Sequence, residues 1–119
     1  MKSLGFGGVR SKLLNVENID KYVEDNRIGN YALGYNRNHI FVPKYVGRSD
    51  NDLKERLMDH VNSNHKRFKF KYQRTKKQAF IKECENYHDL NDQIENEIHP
   101  DSPDGQSLEC PMDCNEDYD

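Results

Sequence analysis

The sequence lacks the long apolar runs of a membrane protein and the paired cysteines of a disulfide-stabilised secreted protein. No apolar run approaches the roughly 20 residues that a membrane-spanning helix requires, and the N-terminus has no apolar region typical of a signal peptide. Three cysteines, an odd number, do not make a disulfide framework, so reduced thiols or metal ligands are expected. Hydrophobic residues make up only 34% of the 119 residues, against 33% charged residues. We therefore expect a cytoplasmic protein with one small core and a polar tail.

Basic residues are missing from the C-terminal end, which makes the charge uneven. All 18 Lys and Arg residues lie between residues 1 and 91 beside 11 acidic residues, whereas residues 92–119 hold 10 acidic residues. A basic body suggests a polyanionic partner, and an acidic tail can shield that body when no partner is bound. Both charge blocks could equally be solvated surfaces.

Hydrophobic periodicity predicts a short helix followed by two strands in the first half of the chain. Apolar residues recur at helical spacing between Asn15 and Asn26, and Asn15 is a suitable cap. Two apolar runs, 28–35 and 39–46, predict strands joined by a polar hairpin connector. Pro43 has no backbone N–H, so its strand should lie at an edge or be bulged there.

A helix, a strand and a second helix are predicted after the hairpin. The first helix would be capped by Ser49 or Asp50 and run to about residue 62, with Arg56 and His60 one turn apart beside its apolar stripe. Residues 67–72 alternate strictly between cations and aromatic side chains, the clearest strand pattern in the chain. The row of cations is either a nucleic-acid contact surface or the solvated face of an ordinary strand.

The last predicted helix begins after Thr75 and runs to about Leu90. Glu83 lies beside the apolar side of this helix, where a carboxylate must find a cation, a hydrogen-bond donor or a metal. Most of the chain beyond Asn91 is rich in Pro, Ser, Gly and acidic residues, which predicts little regular structure.

Side chains suited to phosphodiester hydrolysis fall within residues 29–90. The reaction needs a group that activates water, positive charge at the pentavalent phosphorus, and stabilisation of the leaving oxygen. Two tyrosines near adjacent strand ends, an arginine fork and a carboxylate that can hold a divalent cation meet these needs: Tyr31, Tyr45, Arg56 and Glu83. His60 and Lys44 are further candidates for a general base or a phosphate contact. Each residue alone has an ordinary structural explanation, and it is their combination that favours catalysis.

These residues stand in an order that resembles the GIY-YIG nuclease family. The two signature tripeptides appear as Gly29-Asn30-Tyr31 and Tyr45-Val46-Gly47, and basic Arg48 follows the second. The segments 52–57 and 79–83 resemble those that carry the family's catalytic arginine, at Arg56, and its metal-binding glutamate, at Glu83. Asn30 departs from the usual aliphatic residue, and a family asparagine beyond the glutamate helix has no clear counterpart.

The resemblance implies an α/β (α+β) fold, with a three-stranded antiparallel sheet flanked by helices, that cuts nucleic acid with one Mg²⁺ or Mn²⁺ ion. One tyrosine would deprotonate water or relay its proton through His60, which matches a histidine found one turn after the arginine in some members. Arg56 would stabilise the developing charge, and the metal on Glu83 would stabilise the leaving 3′ oxygen. Nucleic-acid contacts are expected from five basic residues: Lys44, Arg48, Lys69, Lys71 and Arg74.

A second group of residues predicts a structural zinc site. Cys84 and His88 lie one turn apart on the last predicted helix, and Cys110 and Cys114 form a CxxxC loop in the tail. Together they supply four soft ligands suited to tetrahedral Zn²⁺. The alternative is that Cys84 is simply buried, His88 is exposed, and the tail cysteines bind nothing.

The sequence therefore divides into an N-terminal segment with a short helix (1–28), a GIY-YIG-like nuclease domain (29–91) and an acidic tail (92–119) that zinc could hold in place. The expected function is a metal-dependent endonuclease acting on DNA, without membrane association. Two alternatives are a catalytically weak nucleic-acid-binding module and a zinc-stabilised protein-interaction module. A protein partner or a homo-oligomer could supply specificity that this small surface lacks.

Overall fold

A computed structural model describes residues 4, 6, 10–90 and 93–96 of the chain. Four strands and three helices follow one another in these residues: β1 (Lys12–Leu13), α1 (Val16–Tyr22), β2 (Gly29–Arg37), β3 (Ile40–Ser49), α2 (Leu53–Asp59), β4 (Arg67–Tyr72) and α3 (Lys76–Leu90). The order of the five later elements is the predicted strand, strand, helix, strand, helix. None of the described helices is long and apolar enough to cross a membrane.

The strands form one antiparallel sheet in the order β1-β4-β2-β3. This confirms the α+β fold, but the expected number of three strands is wrong by one. The additional strand, β1, pairs only Lys12 and Leu13 with β4. Two residues are too short to show an alternating pattern, which is why periodicity missed this strand.

Polar side chains cap the helices as the sequence predicts in two of three cases. Asn15 accepts a hydrogen bond from the backbone N–H of Asn18 at 2.8 Å, and Thr75 accepts one from that of Gln78 at 3.0 Å. The cap of α2 is Asp52, not Ser49 or Asp50, and the helix ends at Asp59 instead of near residue 62. Ser49 instead accepts a hydrogen bond from the N–H of Asp52 at 2.9 Å, which fixes the turn that leads into α2.

Two small cores lie on opposite faces of the sheet. One packs α1 and α2 against the face that carries Tyr31 and Leu33, and it includes Ile19, Leu53, Leu57 and Phe68. The other lies on the face that carries Ala32, where Val46 packs with Leu90 at the end of α3. Neighbouring residues of β2 therefore serve opposite cores, as a pleated strand requires.

The hairpin between β2 and β3 has a two-residue turn and a bulge. Asn38 and His39 both have positive φ, 52° and 67°, as the tight turn of a twisted hairpin requires. The pairing shifts between Leu33 and Gly34, which face Tyr45 and Pro43 respectively, so Lys44 is the additional residue. Pro43 was expected to lie in an edge strand or at a bulge, and the structure has both.

The outer edge of β3 is covered by residues 93–96, which follow α3. The side-chain amide of Asn96 donates to the carbonyl of Val46 at 2.7 Å, and its oxygen accepts from the Val46 N–H at 2.9 Å. The backbone N–H of Glu95 also donates to the carbonyl of Lys44. Because unpaired strand edges invite non-native pairing, this segment protects the edge of β3 at Lys44 and Val46.

Candidate active site

Tyr31 and His60 form the centre of the candidate site. Tyr31 is only 2% exposed on β2, and His60 is the half-buried C-cap residue that follows α2. The Tyr31 hydroxyl lies 2.9 Å from His60 Nε2, within hydrogen-bond distance. Gly47 faces Tyr31 across the strands, and a Cβ atom at Gly47 would overlap the tip of the Tyr31 ring. The glycine of the second tripeptide therefore makes room for the tyrosine of the first.

Two further rings complete an aromatic cluster around His60. The Tyr45 ring lies 5.4 Å from the His60 ring and 6.4 Å from that of Tyr31, measured between centroids. His65 lies 6.3 Å from Tyr45, and its Nε2 atom is 3.5 Å from the carboxylate of Glu95. Sequence reasoning missed His65, because it follows α2 in a loop whose position only the fold determines.

The carboxylate of Glu83 is paired with Arg48 instead of lying alone against apolar residues. Arg48 Nη1 donates to Glu83 Oε1 at 2.5 Å, and Arg48 Nε donates to Asp50 Oδ1 at 2.9 Å. The Arg48 and Glu83 side chains are each only 12% exposed. Arg48 thus anchors the two carboxylates, a contact that the sequence did not reveal.

The side chain of Arg56 is exposed in the last turn of α2 and makes no hydrogen bond or ion pair with the described part of the chain. Its charge nevertheless acts on the other candidates. Burial raises the pKa of Tyr31 and of Glu83, and Arg56 opposes both rises. The fold therefore brings the Tyr31–His60 pair, Tyr45, Arg56 and Glu83 within electrostatic range of one another.

Burial sets the protonation states of the central pair. Burial, followed by the charge of Tyr45, raises the pKa of Tyr31 far above its ordinary value of 10.0. Burial, followed by the charge of Arg56, lowers the pKa of His60 below its ordinary value of 6.5. At neutral pH the phenol is therefore protonated and the imidazole is neutral, so His60 can accept a proton through Tyr31.

The site is assembled from both faces of the sheet around β3. Arg48 faces Asn30 across the strands, which places Arg48 on the α3 side, whereas Tyr31 and Gly47 face each other on the α2 side. Glu83 approaches from α3.

Asn30, the unusual residue of the first tripeptide, holds α3 in place. It is fully buried, and its Nδ2 donates to the carbonyl of Ala79 at 2.9 Å. Gln73 Nε2 donates to Asn30 Oδ1 at 2.9 Å. Ala79 lies one turn before Glu83, so Asn30 fixes the helical turn that positions the carboxylate.

The five basic residues predicted to bind nucleic acid differ in their surroundings. Lys44 donates to the carbonyl of Gln93 at 3.1 Å, and Arg48 is paired with Glu83. Lys69 and Lys71 face Ala32 and Asn30 across the strands, so they lie on the opposite face from Tyr31. Arg74 is exposed beyond the end of β4.

The described residues suit the predicted Mg²⁺ site, whereas they include only two of the four predicted zinc ligands. Among the described residues, no group of three or more His, Cys, Asp or Glu side chains could hold a metal. Mg²⁺ takes one or two carboxylates and completes its shell with water and substrate phosphates, so Glu83 alone suits it. Cys84 is fully buried and His88 half-buried on α3, but Cys110 and Cys114 lie outside the described residues. The four-ligand zinc site therefore stays a prediction.

Comparison with known families agrees with the geometry. The chain matches the GIY-YIG catalytic domain over residues 26–102. No curated protein and no solved structure matches the chain significantly. The match spans more than half of the chain, so this protein belongs to the GIY-YIG family. The domain is of the nuclease type, which implies nucleic acid as the substrate, and GIY-YIG nucleases generally use divalent metal ions.

Proposed function

We propose that this protein is a metal-dependent endonuclease that hydrolyses phosphodiester bonds in DNA. The observation that carries the proposal is the hydrogen bond between Tyr31 and His60, within electrostatic range of Arg56 and Glu83. A protonated phenol against a neutral imidazole is an arrangement that can pass a proton in one direction.

Water activation is assigned to this pair. A water molecule that attacks phosphorus loses a proton as the new P–O bond forms. The raised pKa of Tyr31 makes a stable phenolate unfavourable at neutral pH. We therefore assign Tyr31 as the relay, which takes the proton from water while its own proton passes to His60 Nε2.

Arg56 is assigned to the substrate phosphate. Its guanidinium is exposed beside the cluster and stays charged at any ordinary pH, so it can offer two parallel N–H groups to the phosphate oxygens. Negative charge grows on these oxygens as the water attacks. Such a charge fork is worth more in the transition state than in the ground state.

Glu83 is assigned to the metal. A Mg²⁺ or Mn²⁺ ion held there supplies a Lewis acid for the leaving 3′ oxygen. Arg48 occupies one carboxylate oxygen of Glu83, and it keeps a second partner in Asp50. If Arg48 turned from Glu83 towards a substrate phosphate, it would therefore still have its ion pair with Asp50.

Incubation of the purified protein with supercoiled plasmid tests this function. With Mg²⁺ or Mn²⁺ we expect nicked circles, and with EDTA none. Because the leaving atom is the 3′ oxygen, the nicks should carry 3′-hydroxyl and 5′-phosphate ends that DNA ligase reseals without prior treatment. Salt-sensitive binding of the plasmid without any nicking in metal would instead favour a nucleic-acid-binding module.

A further inference from the structure

A basic cavity lies at the hairpin end of the sheet, outside the candidate active site. Its volume is about 460 Å³, within the range of small-ligand pockets. Three cationic side chains, one imidazole and one phenyl ring line it: Arg10, Arg67, Lys69, His39 and Phe41. Ser11 and Asn36 complete the lining, and no acidic residue among the described ones lines the cavity.

The pairing of the strands places this cavity on the face opposite Tyr31. Lys69 and Arg67 face Ala32 and Gly34, and Phe41 faces Asn36. Even-numbered residues of β2 point away from Tyr31, towards the α3 side. The cavity is therefore separate from the Tyr31–His60 pair and from the substrate phosphate that Arg56 would hold.

The guanidinium of Arg67 is held in place before any ligand arrives. Arg67 Nε donates to the Ser11 hydroxyl at 2.8 Å, and Arg67 Nη2 donates to the Ser11 carbonyl at 2.9 Å. The Ser11 hydroxyl in turn donates to Asn36 Oδ1 at 3.0 Å. This network orients the guanidinium without neutralising it, because none of its partners carries a negative charge.

Lys69 and Phe41 give the cavity a cation beside an aromatic surface. The Lys69 ammonium lies 5.3 Å from the centroid of the half-buried Phe41 ring. Partial burial of the Lys69 ammonium lowers its pKa. An anion in the cavity would give this ammonium a counter-charge.

We propose that this cavity binds a single-stranded segment of nucleic acid, with a phosphate against Lys69 and Arg67 and an unpaired base against Phe41. Sites for single strands combine a cationic groove with aromatic side chains on which bases stack. A base is accessible for such contact only when it is unpaired, and a cavity of this size suits one nucleotide and not a duplex. The proposal rests on nucleic acid being the substrate, and it adds a second contact to the cleaved strand or its partner.

Fluorescence anisotropy with a labelled oligothymidine of about eight nucleotides tests the cavity in EDTA, so that cleavage plays no part. The full-length chain is compared with Phe41→Leu and Lys69→Gln. A matched control is Lys21→Gln, which removes an exposed lysine of α1 on the other face of the sheet. An abasic oligonucleotide of the same length provides the second probe.

We expect Phe41→Leu to weaken oligothymidine binding at least about fivefold and to leave abasic binding unchanged. Lys69→Gln should weaken both probes and reduce the slope of log affinity against log salt by about 0.7. Equal affinities in wild type and both variants, or an equal loss in Lys21→Gln, would overturn the proposal. Circular dichroism melting of Phe41→Leu checks that the fold is intact. If plasmid nicking fails while these effects on oligonucleotide binding persist, the endonuclease assignment is wrong and the proposed binding of single strands in the cavity is supported.

Discussion

The hydroxyl of Tyr31, near the start of β2, lies 2.9 Å from Nε2 of His60, the C-cap residue that follows α2. This contact joins two elements that are separated by the whole of β3 in the sequence. It also pairs a phenol that holds its proton tightly with an imidazole that is neutral at physiological pH. The proposed activation of water depends on this pair.

Replacement of Tyr31 by Phe should remove the relay and keep the fold. The ring would still fill the space above Gly47, but His60 would lose its hydrogen-bond partner. Because general acid–base groups contribute about 100- to 10,000-fold to rates, we expect plasmid nicking to slow by that order. Tyr35→Phe is the matched control, since Tyr35 is an exposed tyrosine of the same strand. Equal nicking rates in Tyr31→Phe and wild type would remove Tyr31 from the mechanism.

The nicking rate should be retained to lower pH than an ordinary histidine would allow. His60 must be neutral to accept the proton, and its pKa is lowered from 6.5, by burial first and by Arg56 second. Activity therefore extends to lower pH than a histidine of pKa 6.5 would allow, and it is lost as the pH falls through the lowered pKa. Initial nicking rates from about pH 5 to about pH 8 would show this acid limb.

Glu83 can also produce an acid limb, because burial raises its pKa and protons compete with the metal. The two causes differ in their response to metal. A limb due to Glu83 moves to lower pH as Mg²⁺ is increased, whereas one due to His60 does not. An acid limb above pH 6.5 that is independent of Mg²⁺ would contradict the assignment of His60.

Arg56→Lys should slow nicking by about 100-fold, the usual cost of losing one transition-state donor. Lysine keeps the charge but has no planar fork for two phosphate oxygens. The exposed position of Arg56 predicts an unchanged melting temperature. Arg37→Lys, at the exposed end of β2, is the control for a general effect of losing an arginine. A variant that nicks as fast as wild type would show that Arg56 does not contact the phosphate.

Gly47→Ala tests how the two tripeptides fit together. The added Cβ would overlap the tip of the Tyr31 ring and displace the hydroxyl from His60. We expect a loss of about 1–3 kcal/mol in the free energy of unfolding, as for an overpacked core, and roughly 100-fold slower nicking. In a Tyr31→Phe background the same substitution should slow nicking little further, because the relay is already absent. If the double variant slowed nicking by the product of the two single factors, Gly47 would act independently of Tyr31.

The elements and the main candidates were predictable, because they depend on local signals. Strict alternation predicted β4, Asn15 and Thr75 predicted two caps, and Pro43 predicted the edge strand and its bulge. The order of the family motifs then selected residues that the fold brings together.

The remaining contacts join residues that are far apart in the sequence, and no local sequence pattern signals them. Asn30 differs from the usual aliphatic residue, and only the packing of α3 shows that its amide is needed by Ala79 and Gln73. Arg48 was expected to contact nucleic acid, and its ion pair with Glu83, which lies 35 residues later in the chain, depends on the fold. Asn96, beyond the glutamate helix, has an amide that pairs with Val46 as a strand would, a role that no periodicity signals.

The most direct test of the proposed nuclease mechanism compares plasmid nicking by wild type, Glu83→Gln and Glu85→Gln in the same Mg²⁺ buffer. Glutamine at residue 83 can still accept the Arg48 hydrogen bond but cannot hold the metal, whereas Glu85 is a neighbouring carboxylate paired only loosely with Lys82, at 3.9 Å. We predict nicking that is slower by roughly 100-fold or more in Glu83→Gln and unchanged in Glu85→Gln. Metal-dependent nicking by Glu83→Gln at the wild-type rate would contradict the assignment of Glu83 as the metal ligand, because the metal would then lie elsewhere.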